Sequence, residues 1–208
     1  EDWGANDKTR MAPGALDPTT YRAVLNAPAG VDNVGFKIAS FDWLTVDCGS
    51  ATPVTIGQPM PIACPSGDNI GITFPTAGQY LFKLDATNKA APVVRVEKAP
   101  FSADIFIRGV GTDWSASIHN RLQYQGSGIY RAYKTAAAAG PDPDGFKIAS
   151  DDWTTVDCGS ATPVTLGTPL TLTCPGNNIG IDFPAAGAYL FTLDATNPAA
   201  PSLTVTGP

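Results

Sequence analysis

The feature that most constrains this chain is an internal repeat. Residues 36–64 read FKIASFDWLTVDCGSATPVTIGQPMPIAC and residues 146–174 read FKIASDDWTTVDCGSATPVTLGTPLTLTC, identical at 21 of 29 positions with an offset of 110. DNIGITFPTAGQYLFKLDATNKAAP, starting at Asp68, is answered by NNIGIDFPAAGAYLFTLDATNPAAP, starting at Asn177, at an offset of 109. Upstream, Tyr21-Arg22-Ala23 answers Tyr130-Arg131-Ala132, and Asp2-Trp3 answers Asp113-Trp114. Such a period exceeds the roughly 20–50 residues of a solenoid repeat. It matches one β-sandwich domain of about 100 residues. The chain therefore reads as two tandem copies, 1–98 and 99–208, joined at Lys98-Ala99-Pro100, where proline stiffens the joint.

Composition selects the fold class. Gly 21 and Pro 19 are abundant, charged residues are only 15 %, and Glu1 and Glu97 are the only glutamates. Turn formers with Thr and Val, and few helix formers, specify an all-β chain of short strands. Two antiparallel β-sandwiches are expected. With 13 Lys+Arg and a net charge of −6, the chain lacks the cationic surface that nucleic acid requires. No apolar run approaches the ~20 residues that span a bilayer, so no membrane partner is expected.

The copies differ at their starts. Copy two opens with the strand-like run Ala103 to Arg108 before Gly109 and Trp114, whereas copy one begins two residues before Trp3. The adopted reading is that the first strand of copy one lies upstream in a longer protein. The alternative is that another segment fills that sheet edge, since bare edges invite pairing.

Each copy holds two cysteines 16 residues apart: Cys48 with Cys64, and Cys158 with Cys174. Four cysteines allow three pairings, and duplication makes the within-copy one simplest. Closing each loop stabilises by about 3 kcal/mol in the chain-entropy model. Half-zinc sites are the alternative, but zinc wants closely spaced Cys or His pairs, and the chain has one histidine. Disulfides imply an oxidising, extracellular compartment. No secretory leader is visible, so the sequence reads as a mature or excised fragment.

Period-two alternation orients the strands. Phe146 and Ile148 face the core and Lys147 faces out. Ile179, Ile181 and Phe183 point in, and Asn178 points out. Tyr189, Phe191 and Leu193 point in. Copy one repeats this with Lys37 and Asn69 outward and Tyr80, Phe82 and Leu84 inward.

Catalytic constellations are poor. The one histidine, His119, has Lys8 as its counterpart, so no Ser-His-Asp site exists in both copies. Paired carboxylates can run glycoside hydrolysis, but a small sandwich rarely encloses the cleft this needs. Asp42, Asp47, Asp152 and Asp157 read more simply as turn caps. No metal or cofactor is expected. The tryptophans are more informative. Trp3 and Trp114, and Trp43 and Trp153, form equivalent pairs beyond strand ends, among turn-forming polar residues. A sandwich often buries one Trp in its core, yet these surroundings favour exposure. An exposed indole stacks on the apolar face of a glucose ring, with outward Lys147 and Asn178 to bond its hydroxyls.

The order FIRGVGTDW, then FKIA followed by Trp153, then Asn-Asn-Ile before a strand, resembles the immunoglobulin-like starch- and glycogen-binding modules. These include the glycogen-binding module of AMP-activated kinase β-subunits. FKIASxDW and LDATNPxAP resemble more closely the tandem modules appended to bacterial secreted pullulanases and other α-glucan-degrading enzymes. The resemblance spans nearly all of both copies, and the disulfides depart from its general pattern. It implies stacking by Trp114 and Trp153 and hydrogen bonding by Lys147 and Asn178, with Trp3, Trp43, Lys37 and Asn69 matching in copy one. The expected activity is non-catalytic binding of starch, glycogen or malto-oligosaccharide. The expected setting is a secreted, bacterial protein with a covalently attached catalytic module. An adhesion or spacer protein built of sandwich repeats is the rival.

Overall fold

A computed structural model describes residues 9–13 and 18–208. The chain divides into two compact units between Ala99 and Pro100. Both are all-β. Unit 1 contains β1 (Ala12–Pro13), β2 (Thr20–Ala27), β3 (Gly30–Phe36), β4 (Ile38–Ala39), β5 (Asp47–Cys48), β6 (Pro59–Pro61), β7 (Ile70–Phe74), β8 (Gly78–Asp85) and β9 (Val93–Lys98). Unit 2 contains β10 (Ile105–Arg108), β11 (Arg121–Gly126), β12 (Ile129–Ala136), β13 (Gly140–Pro141), β14 (Lys147–Ser150), β15 (Asp157–Cys158), β16 (Leu170–Thr171), β17 (Asp182–Phe183), β18 (Gly187–Asp194) and β19 (Ser202–Thr206).

The ladders are antiparallel. In unit 1 they run β1-β2-β8-β9-β6, with β3-β7 and β4-β5 as separate pairs. In unit 2 one hydrogen-bonded order runs β15-β14-β10-β11-β12-β18-β19-β16, beside a β13-β17 pair. β10 stands between β14 and β11, and its four residues are 0–7 % exposed. Among the described residues of unit 1, β4 pairs with β5 and β1 with β2, and no described strand stands between them.

The period-two pattern builds the cores. Tyr189, Phe191 and Leu193 of β18 are fully buried, as are Ile179, Ile181 and Phe183 to within 4 %. Tyr80 and Phe82 of β8 are likewise buried, while Leu84 is half-buried against the same cluster. Leu81, on the opposite face by alternation, is buried too. Both cores centre on edge-to-face phenylalanines: Phe36–Phe82 at 5.0 Å and Phe146–Phe191 at 5.4 Å. That geometry places a ring's positive edge on the partner's negative face. The core tyrosines satisfy their hydroxyls on turn carbonyls, Tyr80 on Thr76 at 2.6 Å and Tyr189 on Ala185 at 2.8 Å.

The cysteines close within each unit, Cys48–Cys64 and Cys158–Cys174, and none is free. Cys48 and Cys158 end β5 and β15, opposite Ile38 and Ile148. Each disulfide thus ties the β4–β5 or β14–β15 pair to the segment that follows β6 or β16. The bonds point to an oxidising compartment. Among the described residues, no helix is long and apolar enough to cross a membrane.

Candidate functional site

The site grows from the turn between β14 and β15. β14 ends at Ser150, and the chain reverses through Trp153 before β15. Ser150 Oγ donates to Asp152 Oδ1 at 2.5 Å and accepts from the Val156 N–H at 2.9 Å. Asp152 Oδ1 also accepts the Thr154 and Thr155 N–H groups at 3.1 and 3.0 Å, and Oδ2 takes the Thr155 hydroxyl at 2.6 Å. These donors, the Ser150 hydroxyl foremost, hold the Asp152 carboxyl well below the usual carboxylate range. Gathered around one carboxylate, the turn places Trp153 at φ 59°, in the left-handed region. Ser40, Asp42 and Thr45 repeat the arrangement, with Trp43 at φ 58°. Asp42 and Asp152 are thus turn caps, as their positions suggested.

One face of the Trp153 indole is covered by Arg108. The guanidinium carbon lies 3.8 Å over the ring centroid. Arg108 Nε donates to the Trp114 carbonyl at 2.7 Å, and Nη1 donates to the carbonyls of Ser150 and Asp151 at 2.9 and 3.1 Å. Arg108 is 7 % exposed. Burial lowers its guanidinium below the ordinary value, and Asp151 and Asp113 oppose that shift.

Trp114 completes the platform, its ring centroid 6.0 Å from that of Trp153 at an interplanar angle of 37°. Gly109 makes room for it: at φ 117°, a Cβ there would sit 2.8 Å from the Trp114 ring and 2.5 Å from the Gly145 carbonyl. The Trp114 loop is held by Asp113, whose carboxylate accepts the Ser115 hydroxyl at 2.7 Å and the Asn120 amide at 2.8 Å. Ser115 and then Asn120 pull the Asp113 carboxyl down to about 2. Lys134 in turn donates to Asn120 Oδ1.

Among the expected site residues, the structure brings Trp114 and Trp153 into contact. Lys147 is the cross-strand neighbour of Arg108. Its side chain is 14 % exposed, and its ammonium sits 2.5 Å from Asp157 Oδ1. The outward direction read from alternation is therefore redirected along the sheet by a carboxylate on the paired strand. Lys37 behaves alike, 2.6 Å from Asp47 and 8 % exposed. Asp47 and Asp157, read as turn caps, are instead these lysines' partners. Asn178 is exposed, and its amide donates to the Asp144 carbonyl at 3.0 Å, as Asn69 does to Val34 at 3.1 Å. Asn178 is thereby anchored beside Gly145, whose carbonyl lies close to Gly109, and not on either indole.

Trp43 is 39 % exposed, and Trp114 and Trp153 are half-buried, so none of the three belongs to a core. Trp3 lies outside the described residues. No protein-family model matches the chain, and no curated protein matches it.

The sequence reading did not give Arg108 a role. Its signal was available: it is a lone arginine closing the apolar strand Ile105–Arg108, five residues before the Asp113-Trp114 pair. The Lys147–Asp157 pairing was also signalled, by the same Lys and Asp recurring at the same spacing in both copies.

Proposed function

We propose that the chain is a non-catalytic carbohydrate-binding segment for starch, glycogen or related α-glucan. It resembles modules that hold an extracellular glycoside hydrolase on its polysaccharide. The observation that carries the reading is the Trp114–Trp153 platform: two partly exposed indoles braced by a buried arginine and a strained, carboxylate-centred turn. A spacer needs no such device. A sugar site does, because stacking on a preset indole avoids the cost of ordering the side chain on binding.

One observation favours the spacer reading: Lys147, Lys37, Asn178 and Asn69 all engage groups of their own unit. A lysine ammonium has three hydrogens and an amide two, so donors remain for a ligand, but none is dedicated to one. Native electrophoresis through gels containing amylopectin, pullulan or cellulose separates the readings. Retardation by the α-glucans and not by cellulose supports the proposal. Equal mobility in all gels favours the spacer.

A further inference from the structure

Trp153 opens onto a groove of about 300 Å³ in unit 2, walled by Phe101, Thr154, Asp157 and the Cys158–Cys174 disulfide. We propose that this groove seats one neutral pyranose ring, stacked on Trp153 and hydrogen-bonded to the Asp157 carboxylate. In this arrangement Lys147 is a positioning residue that acts through Asp157. The inference rests on the carbohydrate-binding reading and names the part of the platform that the sugar occupies.

Size, polarity and charge argue for that occupant. The volume lies at the small end of ligand sites, which suits one ring rather than a long segment. The Trp153 indole supplies the apolar face, and Phe101, itself largely buried, closes one wall. Asp157 is 25 % exposed and gives Oδ1 to Lys147. A carboxylate has two acceptor oxygens, so Oδ2 is left to accept hydroxyls, and Thr154 lies exposed at the rim. A carboxylate in the wall disfavours an anionic ligand. A cationic ligand is disfavoured as well, because Asp157 is already neutralised by Lys147 and Arg108 already stacks on Trp153. A polyhydroxylated neutral ring meets all of these conditions.

The test is a titration of the isotope-labelled full chain with maltotriose, and separately with choline chloride, followed by amide and indole NMR shifts. Saturable shifts at Thr154, Thr155, Asp157 and the Trp153 indole with maltotriose alone support the proposal. Asp157→Asn is expected to weaken maltotriose binding at these signals about five- to tenfold. Thr154→Arg, at an exposed position, should weaken it at least as much by filling the groove. Lys147→Met should weaken it, and Lys147→Arg, which restores the charge opposite Asp157, should recover it. If Asp157→Asn does not fold, Thr154→Arg decides. Parent shifts confined to residues outside the groove, choline shifts inside it, or parent-like binding by Thr154→Arg overturn the groove while leaving the carbohydrate reading in place. No maltotriose shifts anywhere in the parent overturn that reading itself.

Discussion

Trp43 and Trp153 both occupy left-handed backbone, at φ 58° and 59°, a region that costs a non-glycine residue about 1–2 kcal/mol. Strain of this kind persists where the surroundings over-determine it, and it clusters at functional sites. The proposed role explains why an indole rather than glycine stands there in both copies. Glycine at 153 removes the strain, whereas alanine keeps it. Trp153→Gly should therefore be more stable to urea than Trp153→Ala by about 1 kcal/mol, with both losing polymer binding in unit 2. Equal stability of the two variants would show that the turn imposes no such strain. Gly109 carries the opposite constraint. Gly109→Ala would meet the Trp114 ring and two backbone atoms within 3 Å at φ 117°, and should cost about 1–3 kcal/mol. Calorimetry should show a lowered transition for unit 2 alone.

Among the elements, most strands were legible in the sequence and the site's supports less so. Of residues 178–183, however, only Asp182–Phe183 is a strand, and Ile179 is held by an isolated bridge to Phe146. Alternation around Ile179, Phe183 and Tyr189 is a direct image of one buried face, and the structure buries those side chains. The two disulfides were equally legible, because duplication leaves one simple pairing. Alternation also placed Lys147 outside the core, but it cannot say where a long flexible side chain bends once it leaves the strand. Asp157 made that choice, and Asp157 sits on a different strand. The role of Arg108 was hidden for a similar reason: its partners are carbonyls of Trp114, Ser150 and Asp151, and backbone acceptors leave no mark in a sequence.

The turn and loop that hold the indoles depend on ionised carboxylates. Asp113 is drawn down to about 2, and Asp42 and Asp152 are also lowered, all by hydrogen bonds to the charged form. A carboxyl whose folded pKa lies below its unfolded value adds stability that is complete above the unfolded value, near 4, and is lost as pH falls through the folded one. The platform should thus be unchanged from pH 7 to about 4 and should loosen only as the pH falls below about 4. Two indoles 6.0 Å apart at 37° should give an exciton couplet in circular dichroism. That couplet should disappear in Trp114→Phe, and in the parent it should fade only in the acid window. A couplet already fading between pH 7 and 5 would contradict this assignment.

At the scale of the molecule, duplication supplies two related turns with different tips. Unit 2 presents Asp151 and Thr154 beside its tryptophan, whereas unit 1 presents Phe41 and Leu44, 82 % and 88 % exposed. The polar hydrogen-bond skeleton is the same in both, so the difference lies in what the tip offers a ligand. Linking two sites makes the second contact on a polymer intramolecular, and avidity then exceeds single-site affinity by about 10²–10⁴ where both reach one chain or granule. Trp43→Ala or Trp153→Ala alone should weaken granule binding strongly but incompletely. On maltoheptaose, each should remove about half of the binding stoichiometry.

The most direct test of the account is starch-granule pull-down of the full chain beside its Trp43→Ala/Trp153→Ala double variant, with the fold of each checked by circular dichroism. The parent is predicted to bind the granules and the folded double variant to remain almost wholly in solution. Parent-like binding by the folded double variant, or no binding by the parent, would contradict the claim that these indoles are the sugar platform.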